Sequence, residues 1–408
     1  MKKIFLLYLI AAVMSFAVFA VTWSIAKANV PETDTEPAAA LNSEDGYLMR
    51  SAVGLFSEND ISNAFSNGLF YLCGREQLIE CDTQSGVCTD ISELGDRLRC
   101  ISPYGGFIYA VYIEYIAGAS MFDEGITRYH IIRIDYNTHE MTTLYTADDG
   151  REIRCMSLSL DGEIFFNERD GYEKAHFTPQ ESYLYSMHEG EKPSLIVQAD
   201  WYYIDKQRLY ITRYNSQSDT EQLYYAPREE PDKLTDTGLT VGSQISDNNG
   251  VMFMPTGDSI YYTDEDYDLC CYDINSKQSE HIAGFDGEKR IYYYTVFDGR
   301  MIILVREQKP DGFWCYVLYY LDEINTPVRI TGDEELNEGK KYWFEYIYSI
   351  STFPGNDEFF VIITYDQNMD TKVYTVDKQL HINMLMQSGE WDYDAFEKMK
   401  DGMPEVVS

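Results

Sequence analysis

The sequence predicts an all-β fold: a β-propeller of four-stranded antiparallel blades, seven in number with six or eight as alternatives, preceded by one N-terminal hydrophobic helix. Three observations carry this expectation. Of 408 residues, 35 are Tyr and 20 are Phe, side chains that suit a pleated, half-buried surface. Short apolar runs alternate with Gly and Asp turn residues, and helical signals are scarce after the first segment. Finally, the pattern repeats, with strand starts recurring about every 48 residues, a blade-like period. A chain of this length needs two domains or a repeat architecture. Solenoids and sandwiches also give short strands with turns, but four strands per unit at this period favour a propeller.

Residues 1–28 read as a signal peptide or a transmembrane anchor. Lys2 and Lys3 precede an uncharged run from Ile4 to Ala26, long enough to span a bilayer as a helix. Ala26-Lys27-Ala28 also resembles a small-x-small cleavage site. Both readings put the remainder outside the cytoplasm, membrane-anchored or secreted after cleavage near Ala28. Residues 29–46, rich in Pro, Ala, Glu and Asp, read as a flexible acidic linker. Apolar residues return between Tyr47 and Phe56, a piece expected to pair with or cap the first repeat.

The propeller is expected over 47–386. Its clearest signal is an Asp ending one strand, a polar turn, and a Leu or Ile nine residues on: Asp82 to Ile91, Asp135 to Leu144 and Asp273 to Ile282. Asp322 to Ile330 and Asp377 to Leu385 are one residue shorter. Asp tolerates turn geometry and bonds its own backbone, which explains its place there. A second signal is a turn followed by a strand, beginning at Leu69, Phe107, Glu163, Arg208, Ser259, Arg300 and Glu358. Each has a further strand before it, hence four strands per unit and seven units. Insertions are expected at Glu114–Thr127, Arg169–Glu181 and Gln308–Phe313, with a spacer at Gly332–Lys341. Residues 387–408 form a tail, with Trp391, Phe396 and Met399 spaced for a short capping helix.

Tyr261-Tyr262-Thr263-Asp264, continued by Leu269, Tyr272-Asp273 and Ser276, resembles one copy of the Tyr-Trp-Thr-Asp signature. The chain is thereby similar to bacterial extracytoplasmic propellers likened to low-density-lipoprotein-receptor (YWTD) propellers, and more distantly to TolB-like propellers. That resemblance implies ligand recognition or scaffolding without shared catalytic residues, and usually six blades where seven units are counted here.

Formal net charge is −36, which repels phosphate backbones and excludes nucleic acid as a partner. It suits either plain solubility or attraction of cations. The six His are dispersed, with no HExxH spacing; no G-x-S-x-G elbow and no CxxC occur. Cys73 and Cys81 flank a hairpin and are candidates to face each other. Asp264, Asp266 and Asp268 alternate in a tight loop and offer hard oxygen ligands for Ca²⁺; an acidic hairpin tip that blunts a strand edge has the same composition. Tyr112, Tyr115, Phe122, Phe313 and Trp314 are candidate contacts for a ligand or partner, or else interblade packing. The expected function is a non-catalytic binding or scaffolding module for a protein, peptide or cell-wall glycan outside the cytoplasm. The alternative is an extracellular carbohydrate-active enzyme with carboxylates at the channel mouth. The calcium reading is checked by melting: millimolar Ca²⁺ should raise the melting temperature in the parent and not in Asp266→Ala, and an unchanged parent removes the site.

Overall fold

Seven antiparallel sheets, each with four consecutive strands and the third with a short fifth, follow one another along the chain as the blades of a β-propeller. The computed structural model describes residues 48–49 and 62–387, apart from 67, 74–77, 92–97, 116–126, 160, 171–181, 216–219, 242–252, 265, 287–288, 309–313, 323–324, 337–345, 354–355 and 366–370. The N-terminal hydrophobic segment, the acidic linker and the tail after Gln387 lie outside the described residues. No helix among the described residues is long and apolar enough to cross a membrane.

Blade 1 comprises Ser62–Ser66, Leu69–Cys73, Leu78–Asp82 and Cys88–Asp90. Blade 2 comprises Leu98–Tyr104, Phe107–Tyr115, Thr127–Asp135 and Met141–Thr146. Blade 3 is Arg151–Ser159, Ile164–Asp170, Ser182–Met187 and Ser194–Gln198; blade 4 is Trp201–Ile204, Arg208–Asn215, Thr220–Pro227 and Thr235–Val241. Blade 5 is built from Phe253–Thr256, Ser259–Thr263, Leu269–Asp273 and Gln278–Ala283. Blade 6 is built from Arg290–Phe297, Arg300–Gln308, Trp314–Leu321 and Pro327–Gly332. Blade 7 closes the series with Tyr346–Ser351, Phe359–Tyr365, Thr371–Asp377 and Ile382–Gln387. The seven strand starts read from the sequence are thus the second strand of each blade, and the six-bladed count implied by the receptor resemblance does not hold.

Second strands are continuous apolar runs because neighbouring blades cover both faces of each sheet. Val361, Ile362 and Ile363 are all fully buried. Outer strands are mostly solvent-facing, as in Met141–Thr146 and Gln278–Ala283, and their sequences are accordingly polar.

The repeat signature has a physical origin in these outer strands. Asp82 Oδ1 accepts the N–H of Gln84 and Ser85, and Asp135 Oδ1 accepts those of Asn137 and Thr138. Asp377 does the same for Gln379 and His381. Backbone hydrogen bonds hold the carboxyls of Asp82, Asp135 and Asp377 below the usual carboxylate range. The Leu or Ile that follows is a bulge residue in four copies. Leu144, Ile282, Ile330 and Leu385 are each skipped in the pairing register of outer strand with third strand, as is Ile196 in blade 3. A bulge bends its strand and re-aims a side chain. All five pack against an interblade core.

The described stretch Leu48–Met49 pairs antiparallel with Ser159 and Leu158 of the first strand of blade 3, on its inner edge. The expectation that this piece pairs with the first repeat is therefore corrected. Every blade has four consecutive strands of its own, so among the described residues blades 1 and 7 meet without strand exchange. Four phenylalanines pack in that seam, with Leu72 and Ile79 of blade 1 and Val361, Ile363 and Val373 of blade 7. Phe65 packs edge-on to Phe359 with centroids 5.3 Å apart, and Phe353 lies 5.8 Å from Phe65 and 6.0 Å from Phe70. Phe353→Ala should cost about 3–5 kcal/mol in denaturant melts. Amide exchange in blades 1 and 7 should also accelerate before that in blades 3 and 4. Uniform acceleration around the ring would show that the seam is not the weak joint.

Candidate functional site

In an antiparallel meander, the links from second to third strand and from fourth strand to the next blade emerge on one face. The inserted stretches read from the sequence, Glu114–Thr127, Arg169–Glu181 and Gln308–Phe313, all join second to third strands, and the spacer at Gly332–Lys341 joins blade 6 to blade 7. The opposite face carries short turns. Function is thereby drawn to the face on which first strands begin and second strands end.

On that face, blades 3 and 4 gather a charged cluster. The first strand of blade 3 carries a bulge between Ile153 and Cys155, leaving Arg154 outside the ladder. Its guanidinium lies 3.6 Å from the centre of the Trp201 ring, at the start of blade 4. Burial, and then the like charge of Arg169, pull the Arg154 guanidinium down to about 10. Asn167 Nδ2 donates to the backbone carbonyl of Asp200 at 2.6 Å, and Tyr202 Oη donates to the carbonyl of Phe165 at 2.8 Å, locking the two blades together here.

Two carboxyls stand beside this pair. Asp200 accepts the Tyr214 N–H at 2.8 Å, yet burial raises its pKa. Glu221, on the third strand of blade 4, is 4% exposed, and its Oε2 has no hydrogen-bond partner. Burial, and then the charge of Asp200, push the Glu221 carboxyl up to about 7; the Thr212 hydroxyl and Arg154 work against the rise. The neighbouring network in blade 3 is fully paired by contrast. Arg151 bonds Glu168 and Asp170, both at 2.9 Å, and Tyr145 Oη donates to Glu168 at 2.8 Å. Arg169 grips Glu152 at 3.1 and 3.2 Å. One buried acid is thus satisfied and the other is not, and a strained acid in a mouth is a candidate functional group.

The residues singled out from sequence are scattered. Tyr112 is half-buried in blade 2, its ring 5.9 Å from that of His130, and packs in the core between blades 1 and 2. Tyr115 ends the same strand, paired with Thr127. Phe122 and Phe313 lie outside the described residues. Trp314, in blade 6, is 39% exposed with the Arg306 guanidinium 4.3 Å above it. In blade 5, Asp264 Oδ1 accepts the N–H of both Asp266 and Asp268 at 3.0 Å, and Asp268 meets His281 at 3.2 Å. Among the described residues no three His, Cys, Asp or Glu side chains gather to hold a metal. Cys73 pairs across its hairpin with Leu78 and donates to the carbonyl of Leu98. It does not face Cys81, whose cross-strand partner is Cys88.

Glu221 was hidden in the sequence by its neighbours in Thr220–Pro227. The readable signal was its phase: it shares the inward face of its strand with buried Leu223. Blades 3 and 7 place the small Ser182 and Thr371 at the corresponding register positions.

No protein-family model matches the sequence, and no curated protein is similar to it. Solved structures share its fold. A prolyl oligopeptidase B from Galerina marginata, bound to a 35mer hydrolysis and macrocyclization substrate, is similar with TM-score 0.53 and 11% identity, over 88% of this chain and 53% of that one. The β-propeller domain of the trilobed protease from Pyrococcus furiosus, described as having an open velcro topology, has TM-score 0.50 and 11% identity over 85% of this chain and all of that one. A Mycobacterium tuberculosis puromycin-hydrolyzing peptidase has TM-score 0.50 and 13% identity over 86% and 56%. The chain therefore spans about half the length of the two complete peptidases. These likenesses concern the fold alone: the Pyrococcus furiosus domain is itself a β-propeller, and the seven blades of this chain are read from its own sheets. They correct the expectation of a non-catalytic binding or scaffolding module, since the similar propellers belong to enzymes.

The strain at Glu221 has a definite pH signature. Its folded pKa lies above the ordinary 4.5, so the folded state binds the extra proton between those values and stability falls as pH rises from about 4.5 to about 7. The turn aspartates have the opposite sign, with stability lost as pH falls through their lowered pKa values. Glu221→Gln should therefore be more stable than the parent at pH 8, by on the order of 3 kcal/mol at most, with the gap vanishing near pH 4. Denaturant melts across pH check this; a gap that stays constant with pH removes the buried-charge account.

Proposed function

We propose that the chain is the propeller part of a peptide-processing enzyme, and that Glu221 and Asp200 receive a cationic group of the peptide at the mouth of blades 3 and 4. The observation that carries this is the unpartnered, buried Glu221 oxygen beside a second raised carboxyl. A buried carboxyl without a counterion is disfavoured in its charged form. An arriving ammonium or guanidinium supplies the missing partner and returns the pKa toward its ordinary value. The net charge of −36 steers cations toward the surface before contact.

Arg154 adds a donor of the other sign, oriented by the face of Trp201, for a peptide carbonyl or carboxylate. A site in which carboxyls and guanidiniums stand together, with Arg154, Arg169 and Arg213 all near Asp200, suits a peptide segment better than a simple ion. Similarity to the propellers of three peptidases supports peptide as the substrate class. Because no G-x-S-x-G elbow occurs in the sequence, bond cleavage is assigned to a separate catalytic part with which the propeller works. The uncharged run at Ile4–Ala26 supports a place outside the cytoplasm.

The test is calorimetric titration of the full chain with a short lysine-containing peptide at pH 7, in buffers of different ionisation enthalpy. Binding should release about half a proton per site, because the cation drives Glu221 to its charged form. Glu221→Gln should abolish the release and weaken binding at least tenfold, while an acidic peptide of equal length should not bind. Equal affinity of parent and variant, or binding without proton release, overturns the proposal.

A further inference from the structure

We propose that Cys81 and Cys88 form a redox-active pair that closes to an intramolecular disulfide, a modification site on the outer edge of blade 1. The two residues are direct cross-strand partners in the register of the third and outer strands. Their Sγ atoms lie 2.9 Å apart. The Asp82 N–H donates to the carbonyl of Val87 at 2.9 Å, and the Ile91 N–H to that of Leu78 at 2.8 Å. These bonds place Cys81 and Cys88 at a non-hydrogen-bonded position, where Cα atoms stand about 4.5 Å apart, within the range of about 4.4–6.8 Å that a disulfide spans. The hairpin is held in that register by Gly86, whose φ of 69° an L side chain rarely adopts.

The pair is asymmetric in a way that sets the order of events. Cys88 is exposed and Cys81 is buried. Burial, with Cys88 next, pushes the Cys81 thiol up to about 12, so Cys88 is the thiol that meets the oxidant. With a small-molecule disulfide such as oxidised glutathione, the Cys88 thiolate attacks one sulfur, forms a mixed disulfide and releases one glutathione thiolate. Cys81 then gives up its proton, attacks Cys88 Sγ and displaces the second. Two protons and two electrons leave the protein, and one glutathione disulfide becomes two thiols. Among the other cysteines, Cys73 and Cys155 are directed to the Leu98 carbonyl and to Asn167 Oδ1.

The location gives closure a consequence. Thr83, Gln84, Ser85 and Gly86 of this hairpin line a cleft of about 650 Å³ across the seam, opposite Asn356, Asp357 and Phe359 of blade 7. A disulfide would lock together the two arms of this hairpin, and with them the blade 1 wall of the cleft at the seam.

Treating the full chain with oxidised glutathione and mapping tryptic peptides without reduction tests this. The peptide spanning residues 76–97 holds Cys81 and Cys88 as its two cysteines; it should lose two hydrogens and resist alkylation at both. The melting temperature should rise by several degrees and fall again with reductant. Cys88→Ser, an exposed position that leaves folding intact, should lose both effects. A glutathione adduct that persists on Cys88, or a linkage to any other cysteine, overturns the proposal.

Discussion

Every blade of this propeller depends on its neighbours for burial, so the ring stands or falls on the face-to-face packing of successive sheets. A single four-stranded sheet of this composition would expose two apolar faces. Closing seven into a ring covers both, and continuous apolar second strands such as Met301–Val305 become stable only there. Six of the seven joints fall between blades consecutive in the chain. The seventh shows no strand exchange among the described residues; its core gathers Phe65, Phe70, Phe353 and Phe359 with Leu72, Val361 and Ile363, and its two edge-on ring pairs contribute about 0.5–1.5 kcal/mol each beyond burial. Elsewhere polar ties supplement the packing. Buried Asp333 accepts N–H groups from Tyr316 of blade 6 and Ile347 of blade 7, both at 2.7 Å.

The repeat signature is a record of this packing rather than of any ligand. The strand-ending Asp sets a tight hairpin by accepting its own backbone N–H groups, and the later Leu or Ile is bulged so that it turns into the next interface. In blade 5, Tyr262 is buried with its hydroxyl on Ser279, and the carbonyl of Tyr261 accepts Tyr294 Oη from blade 6. Both tyrosines hold blades. Blade 4 departs from the signature, and that is where the strained acid lies.

The contrast between Glu168 and Glu221 explains why the mouth of blades 3 and 4 stands out from an otherwise acidic surface. Both are buried glutamates on neighbouring blades. Glu168 has Arg151 and Tyr145 as partners and behaves as a structural ion pair. Glu221 has Asp200 near it instead, so burial and like charge act in the same direction. Leaving a charge unpaired in a protein interior costs several kcal/mol, and a fold that could have placed a Ser or Thr there, as blades 3 and 7 do, retains the cost.

The amino-acid sequence by itself determined the class of fold, a repeat of seven units, the second strands and the turn aspartates, because continuous apolar runs and turn chemistry are local. It also marked which links are long, although not that they share a face. Only the tertiary structure decided which blades meet at the seam, which cysteines are neighbours and which acid is unpaired. Cys81 meets Cys88 rather than Cys73 because strand register, not spacing in the chain, sets that contact. Glu221 is unusual because of its burial and the charge of Asp200, which outweigh the opposing Thr212 hydroxyl and the Arg154 guanidinium of blade 3. Among 68 acidic residues, no local pattern separates such a group from those that simply face water; burial and the charge of its neighbours do.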